Sequence, residues 1–228
     1  MNYGYYDEAL NVKLEPGDEI ERYPIQLYEH LCSKINLNNL KVLEVGSGRG
    51  GGASYIARYH KPKIIYGIDL SSKAIDLCKD SHNEENLEFL VGDSANIPFD
   101  NDSFDVIINV ESSHCYPSLP KFVNEVSRVL KKGGKFLYCD FVINSSIDEH
   151  LNKLKSDDLL YNNYTDITEN IIKASELMTD DRNKIINKVN SSFLRKVLKS
   201  FASVKGSKIY KSFVDRHYSY VSLVAEKK

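Results

Sequence analysis

Glu44, Asp69, Asp93 and Asp140 each stand in or just after a short apolar run, and His114 follows a fifth such run. Behind Glu44 comes Gly46-Ser47-Gly48-Arg49-Gly50-Gly51-Gly52. Glycines at these positions let backbone N–H groups approach a ligand with no Cβ in the way. The apolar run Val42-Leu43-Glu44-Val45 reads as a buried strand, and Ala53-Ser54-Tyr55-Ile56-Ala57 as the first turns of a helix. A strand, a glycine loop and a helix N-terminus together make a nucleotide site. The glycines satisfy both the dinucleotide pattern G-x-G-x-x-G and the tighter G-x-G-x-G. Asp69 lies 19 residues beyond Gly50 (69 − 50), near the ~20 expected of an acid that holds a ribose. A carboxylate offers two acceptor oxygens, which suits a pair of hydroxyls. The competing role is an N-cap: Asp69 or Ser71 can cap the helix that carries Ala74, Leu77 and Cys78.

His114 sits in Glu111-Ser112-Ser113-His114-Cys115-Tyr116-Pro117, just past a strand. Open α/β sheets bind ligands beyond the carboxyl ends of their strands. An imidazole titrates near neutrality, so it suits the removal of a proton from a reacting group. Asp140 lies inside the apolar run Lys135–Val142. Burying an unpaired carboxylate is costly. It must pair with something, face the crevice or cap the strand end.

The elements that position these residues follow from periodicity. Ile25, Tyr28, Leu31, Cys32 and Ile35 share one face of a helix over 25–35. Strands are expected at 63–69, 87–91, 104–110, 135–142 and 218–225, the last in strict alternation. A helix over 119–130 places Phe122, Val126, Val129 and Leu130 on one face and ends at Lys131-Lys132-Gly133-Gly134, cations on its last turn and glycine at its C-cap. Residues 144–201 read as polar and helical: Thr165-Asp166-Ile167-Thr168 caps a helix over 169–178, and a second run carries Ile185, Ile186, Val189, Phe193, Leu194, Val197, Leu198 and Phe201. No clear sixth strand is visible before the terminal one.

Taken in order, Glu44-x-Gly46-x-Gly48-x-Gly50, Asp69, Gly92-Asp93-Ser94 with Ile97-Pro98-Phe99, and Val129-Leu130-Lys131-Lys132-Gly133-Gly134 resemble the motifs of the class I S-adenosylmethionine-dependent methyltransferases. Stretches 44–56, 109–117 and 206–220 are similar to bacterial methyltransferases of lipid and polyketide hydroxyls, of the phthiotriolone/phenolphthiotriolone dimycocerosates type. Glu111–His114 and Tyr138–Phe141 also resemble sugar O-methyltransferases of the rebeccamycin type. The resemblance implies an α/β fold: a Rossmann-like, mostly parallel sheet with helices on both faces, an antiparallel last strand and a helical cap after strand five. It implies one domain, 1–228, made of an N-terminal lid and helix (1–38), a cofactor core (39–143), an acceptor cap (144–201) and a C-terminal segment (202–228).

The same resemblance implies S-adenosyl-L-methionine as cofactor. Glu44, Gly46, Ser47, Gly48, Gly50, Asp69, Leu70, Asp93, Ser94, Asn109, Glu111, Tyr6 and Tyr28 then surround it, with Asp93 on the adenine amino group. Tyr28 has core packing as its other role. Asn2-Tyr3-Gly4-Tyr5-Tyr6 resembles a family segment that folds over the cofactor, against the default of a free tail. His114 and Asp140 become the base pair that deprotonates an acceptor hydroxyl. The helical cap departs in sequence from these relatives, so it names no acceptor.

Composition narrows the rest. A formal net charge of −2 over 228 residues gives no basis for nucleic-acid binding. Cys32, Cys78, Cys115 and Cys139 are scattered without a CxxC, so neither a zinc site nor a disulfide framework is expected, and no metal is needed. No signal peptide or membrane-length apolar run is seen, which points to a cytoplasmic enzyme without integral membrane contact and with a small-molecule acceptor. The oligomeric state is left open. The expected function is O-methylation of a lipid, polyketide or glycoside hydroxyl. The alternatives are C- or N-methylation of a small metabolite, a nicotinamide-dependent dehydrogenase using the same glycines and Asp69, and a non-catalytic cofactor-binding module.

Overall fold

Alternation along five short apolar runs builds two cores, one on each face of a sheet. The computed structural model describes residues 2–192, 194, 195, 198 and 202–228. Strands β1 (Lys41–Val45), β2 (Ile64–Asp69), β3 (Leu87–Val91), β4 (Phe104–Val110) and β5 (Leu130–Ile143) pair in parallel, in the order β3-β2-β1-β4-β5. Successive side chains of a strand face opposite ways. Val42, Ile65, Ile108 and Leu137 therefore pack with α1 (Arg22–Cys32), α2 (Gly51–Tyr59) and α3 (Ser72–Ser81). Leu43, Ile107 and Phe136 pack on the other side with α4 (Leu119–Val129) and α5 (Ile147–Lys153). The strand order reverses between β1 and β4, and ligand crevices open at such a switch point. The glycine loop after β1 and the His114 turn after β4 both lie there.

β8 (Tyr218–Lys227) runs antiparallel beside β5, from Lys135 opposite Glu226 to Ile143 opposite Tyr218. This is the α/β sheet that the sequence implies, mostly parallel with an antiparallel last strand. Three further helices are α6 (Thr168–Leu177), α7 (Thr179–Asn187) and α8 (Lys208–Val214). Ile171 of α6 and Phe213 of α8 join the first core.

Three expectations need correction. Segment 144–201 is not purely helical: β6 (Leu159–Tyr161) and β7 (Thr165–Asp166) pair antiparallel with β8. Asp166 also receives the Thr168 N–H (2.9 Å), so one short stretch closes the sheet edge and opens α6. The run Lys131–Gly134 does not cap α4. Leu130 already takes extended angles (φ −77°, ψ 135°) and pairs with Phe104, so helix passes straight into strand. Gly133, at φ 76°, instead serves the register break between the Phe104–Leu130 and Val106–Lys135 pairs. Helix α1 starts at Arg22, earlier than expected, with Pro24 near its start. Phe193, Val197 and Phe201 of the second helical run lie outside the described residues.

Phe104 is fully buried at the end of the sheet away from the crevice, with Tyr66 and Phe99 edge-on to its ring. Phe104→Ala should cost about 3–5 kcal/mol of stability in urea unfolding, while the folded fraction keeps wild-type affinity for S-adenosylhomocysteine.

Candidate active site

The loop after β1 is held by its own backbone and by one acid. The N–H groups of Gly46 and Ser47 both donate to Ile68 O, at 2.8 and 2.9 Å. Gly48 N–H donates to Asp69 Oδ2 (2.9 Å), and Ser71 N–H to Asp69 Oδ1 (2.9 Å). Ser71, not Asp69, caps α3, since its Oγ accepts the Ala74 N–H. Asp69 therefore joins the loop to the end of β2 and keeps lone pairs toward the crevice. Gly46 sits at φ 78°, and a Cβ there would overlap the Ser112 side chain. Gly50, also at φ 78°, turns the chain into α2.

Glu44 is buried beneath this loop, and Tyr28 OH donates to its Oε1 (2.6 Å). Burial pushes the Glu44 carboxyl up to about 7, against the opposing hydrogen bond from Tyr28. The Tyr28 proton is thus engaged by Glu44. Tyr28 holds the acid, and is not free to donate to a ligand carboxylate. Among the described residues five buried side-chain atoms lack a partner, and three of them are Glu44 Oε2, Ser47 Oγ and Asn109 Oδ1. Asn109 Nδ2 donates to Val45 O (2.9 Å), so these three lie together at the glycine loop. Such atoms cost about 1–3 kcal/mol each when unsatisfied, which marks a place for a polar ligand. At the rim, Leu70 is 74% exposed and Val91 52% exposed, apolar surface left uncovered at the ends of β2 and β3. Asp93 is exposed there: Oδ1 closes its own turn on Ala95 N–H (2.8 Å), and Oδ2 has no partner among the described residues. Ser94 beside it is buried.

The second half of the site begins where β4 ends. Glu111 adopts φ 46°, a left-handed conformation that costs a non-glycine residue about 1–3 kcal/mol. Its N–H is tied to Cys139 O (3.0 Å), and its Oε1 accepts from Tyr3 N–H (2.8 Å) and Tyr220 OH (2.7 Å). Burial pushes the Glu111 carboxyl up to about 7. The turn then swings Ser113–Cys115, a single 3-10 turn, over β5. Asp140, fully buried in β5, receives four donors: Ser113 Oγ (2.6 Å), His114 N (3.0 Å), His114 Nδ1 (2.9 Å) and Phe141 N (2.8 Å). A carboxylate that collects donors fixes the imidazole with Nδ1–H toward itself and a bare Nε2. Burial lowers the His114 pKa, but the hydrogen bond and charge of Asp140, with the charge of Glu111, outweigh it and leave it raised. His114 stacks at 4.4 Å on Phe141 and lines a cavity of about 640 Å³ with Tyr116, Pro117, Leu119, Val142, His150 and Tyr218.

The N-terminal segment is docked. Tyr5 is buried with its ring 4.5 Å from His30, and Arg182 donates to Asn2 O (3.1 Å). Tyr6, expected beside the cofactor, packs its ring 6.1 Å from Tyr23 and exchanges hydrogen bonds with Asn170 of α6. Tyr3 is the tyrosine that reaches the site, its ring 5.7 Å from Phe141 and 5.5 Å from Phe213. Sequence reasoning gives no role to Tyr220 and His150, which arrive from distant parts of the chain, and none of their own to Ser113 and Tyr138 beside His114 and Asp140.

Residues 43–138 match the family model described as a methyltransferase domain. The chain is 37% identical over 206 residues to the fatty-acid O-methyltransferase of Mycolicibacterium smegmatis, covering 90% of this chain and 75% of that protein. It is 34% identical over 221 residues to the phthiotriol/phenolphthiotriol dimycocerosates methyltransferase of Mycobacterium leprae, covering 96% and 82%. The chain belongs to the S-adenosylmethionine-dependent methyltransferases. Its fold also matches the geranyl diphosphate C-methyltransferase of Streptomyces coelicolor, crystallised with S-adenosyl-L-homocysteine (TM-score 0.72, 19% identity, 100% of this chain and 91% of that one). The dehydrogenase and the non-catalytic module are thereby set aside. The methyltransferase's orphaned oxygens at the loop fit a cofactor that brings an ammonium group and hydroxyls, both of them donors.

The two raised acids have a thermodynamic consequence. A carboxyl whose folded pKa exceeds its unfolded value binds more protons when folded, so stability falls as pH rises between the two. Glu44 and Glu111, moved from 4.5 to about 7, should make the ligand-free methyltransferase lose stability from about pH 4.5 to 7. Glu44→Gln should flatten that slope in urea midpoints measured across this range. An unchanged slope would place the proton uptake elsewhere.

Proposed function

We propose that this methyltransferase transfers a methyl group to a hydroxyl of a lipid-like small molecule, with His114 as the general base. The observation that carries this reading is Asp140, whose four donors hold His114 with Nε2 bare on the 640 Å³ cavity. S-adenosylmethionine supplies an electrophilic methyl when bound. The chain must therefore align the acceptor and take its proton, and alignment alone lowers such barriers strongly. An alcohol that keeps its proton is a poor nucleophile, so a base in hydrogen-bond reach is needed. His114 Nε2 takes the hydroxyl proton, and Asp140 stabilises the resulting imidazolium. The fatty-acid and phthiotriol names of the relatives support an oxygen-bearing lipid acceptor.

In this reading Asp69 holds the ribose hydroxyls, and Leu70 and Val91 flank the base. Asp93 Oδ2 and Ser94 meet the adenine edge. Gly46, Ser47, Gly48 and Gly50 line the methionine end, whose ammonium faces Glu44 Oε2. Asn109 anchors the loop from behind, and Glu111 carries Tyr3 against the acceptor side.

Two measurements test it. Asp69→Ala removes a charged partner of the hydroxyls, worth about 1.5–3 kcal/mol, so S-adenosylhomocysteine should bind roughly 10- to 150-fold more weakly by calorimetry. Wild-type affinity on a folded sample would make Asp69 only a tether for Gly48. His114→Ala should lower kcat about 10²–10⁴-fold toward hydroxylated lipids with methyl-labelled cofactor, and leave cofactor affinity unchanged. The wild-type rate should fall as pH drops through an apparent pKa above the ordinary ~6.5 of histidine, because the cationic imidazole cannot accept a proton. Near-normal turnover of His114→Ala would favour an amine acceptor, which needs no strong base.

A further inference from the structure

A buried hydrogen-bond chain leads from Asp140 away from His114. Ser113 Oγ donates to Asp140 Oδ2 (2.6 Å), Tyr138 OH lies 2.8 Å from Ser113 Oγ, and His150 Nε2 lies 2.7 Å from Tyr138 OH. The direction of every bond follows from its end. The Ser113 proton points to the carboxylate, so Ser113 can only accept from Tyr138. The Tyr138 proton then points to Ser113, so Tyr138 can only accept from His150. His150 must carry its hydrogen on Nε2. In the neutral ring that leaves Nδ1 as a bare acceptor, and Nδ1 has no partner among the described residues. Burial pulls the His150 pKa down, which keeps the ring neutral near pH 7. His150 lies on α5 and lines the same cavity as His114. Lys153 and Glu149 of that helix pair with each other at 2.6 Å and also line it.

We propose that His150 is a specificity-determining residue: its Nδ1 accepts a hydrogen bond from a second donor group on the acceptor, beside the hydroxyl that His114 deprotonates. The cavity thus reads two donors with two imidazoles. One imidazole is oriented directly by Asp140, the other through Tyr138 and Ser113. The preferred substrate class is a lipid that carries a second hydroxyl near the reacting one. This rests on the hydroxyl-acceptor reading above.

The test uses the full chain with S-adenosylhomocysteine bound and histidine labelled with ¹⁵N. Long-range ¹H–¹⁵N spectra should show His150 as the Nε2–H tautomer, and Tyr138→Phe, which removes the acceptor of that proton, should let the Nδ1–H form appear. Octan-1-ol, octane-1,2-diol and octane-1,3-diol are then titrated in. At least one diol should bind about 2- to 12-fold tighter than the mono-alcohol, the yield of one neutral hydrogen bond, and shift the His150 Nδ1 resonance. His150→Phe should abolish the preference and leave mono-alcohol binding in place. A wild-type His150 found as Nδ1–H, or a diol preference that is absent or survives His150→Phe, overturns the inference and leaves the hydroxyl reading standing. If none of the three alcohols perturbs His114, the hydroxyl reading falls and this inference with it.

Discussion

The Asp140 carboxylate is the constraint on which the half of the fold around His114 depends. It has no solvent exposure and lies among apolar neighbours in β5. A buried charge is tolerable only with its oxygens fully hydrogen-bonded. One donor is the N–H of the next residue, Phe141; the other three come from Ser113 and His114. The chain leaving β4 must therefore turn at once and lie across β5. Glu111 takes a left-handed conformation at that turn, held by Cys139 O on one side and by Tyr3 and Tyr220 on the other. The position of His114 and of the cavity wall it forms follows from this one satisfied charge.

The half around the glycine loop follows the opposite logic. Its backbone is tethered in advance, through Ile68 O and Asp69, whereas its side-chain acceptors are left short of donors. Glu44 pairs one oxygen with Tyr28 and leaves the other bare. Loop geometry is thus settled by the protein alone, and in the proposed reading the bound cofactor supplies the missing hydrogen bonds. Preorganisation of this kind reduces the ordering cost of association.

Much of this was legible in the sequence because it is local. The glycine run, Asp69 and the alternating strands announce themselves by spacing, and the parallel sheet with its antiparallel last strand follows. His114 and Asp140 were separately conspicuous, one past a strand end and one inside a strand; that they meet needed the β4–β5 register. Lys131–Gly134 misled because lysines before glycines suit a helix cap and a strand irregularity equally. β6 and β7 are too short to show a period of two and exist only because β8 offers them an edge. Tyr6 was preferred over Tyr3 because nothing local distinguishes them. Only packing on Phe141 and Phe213 does. The Ser113–Tyr138–His150 chain joins three elements and has no sequence signature.

The claim that Asp140 makes His114 a base can be read directly from the imidazole. Its Cε1–H resonance should titrate above ~6.5 in the wild type, and Asp140→Asn should move that midpoint below the wild-type value, since the hydrogen bond and charge of Asp140 are the main raising influences against burial. A His114 midpoint that stays unchanged in Asp140→Asn, with the rest of the spectrum intact, would contradict the account.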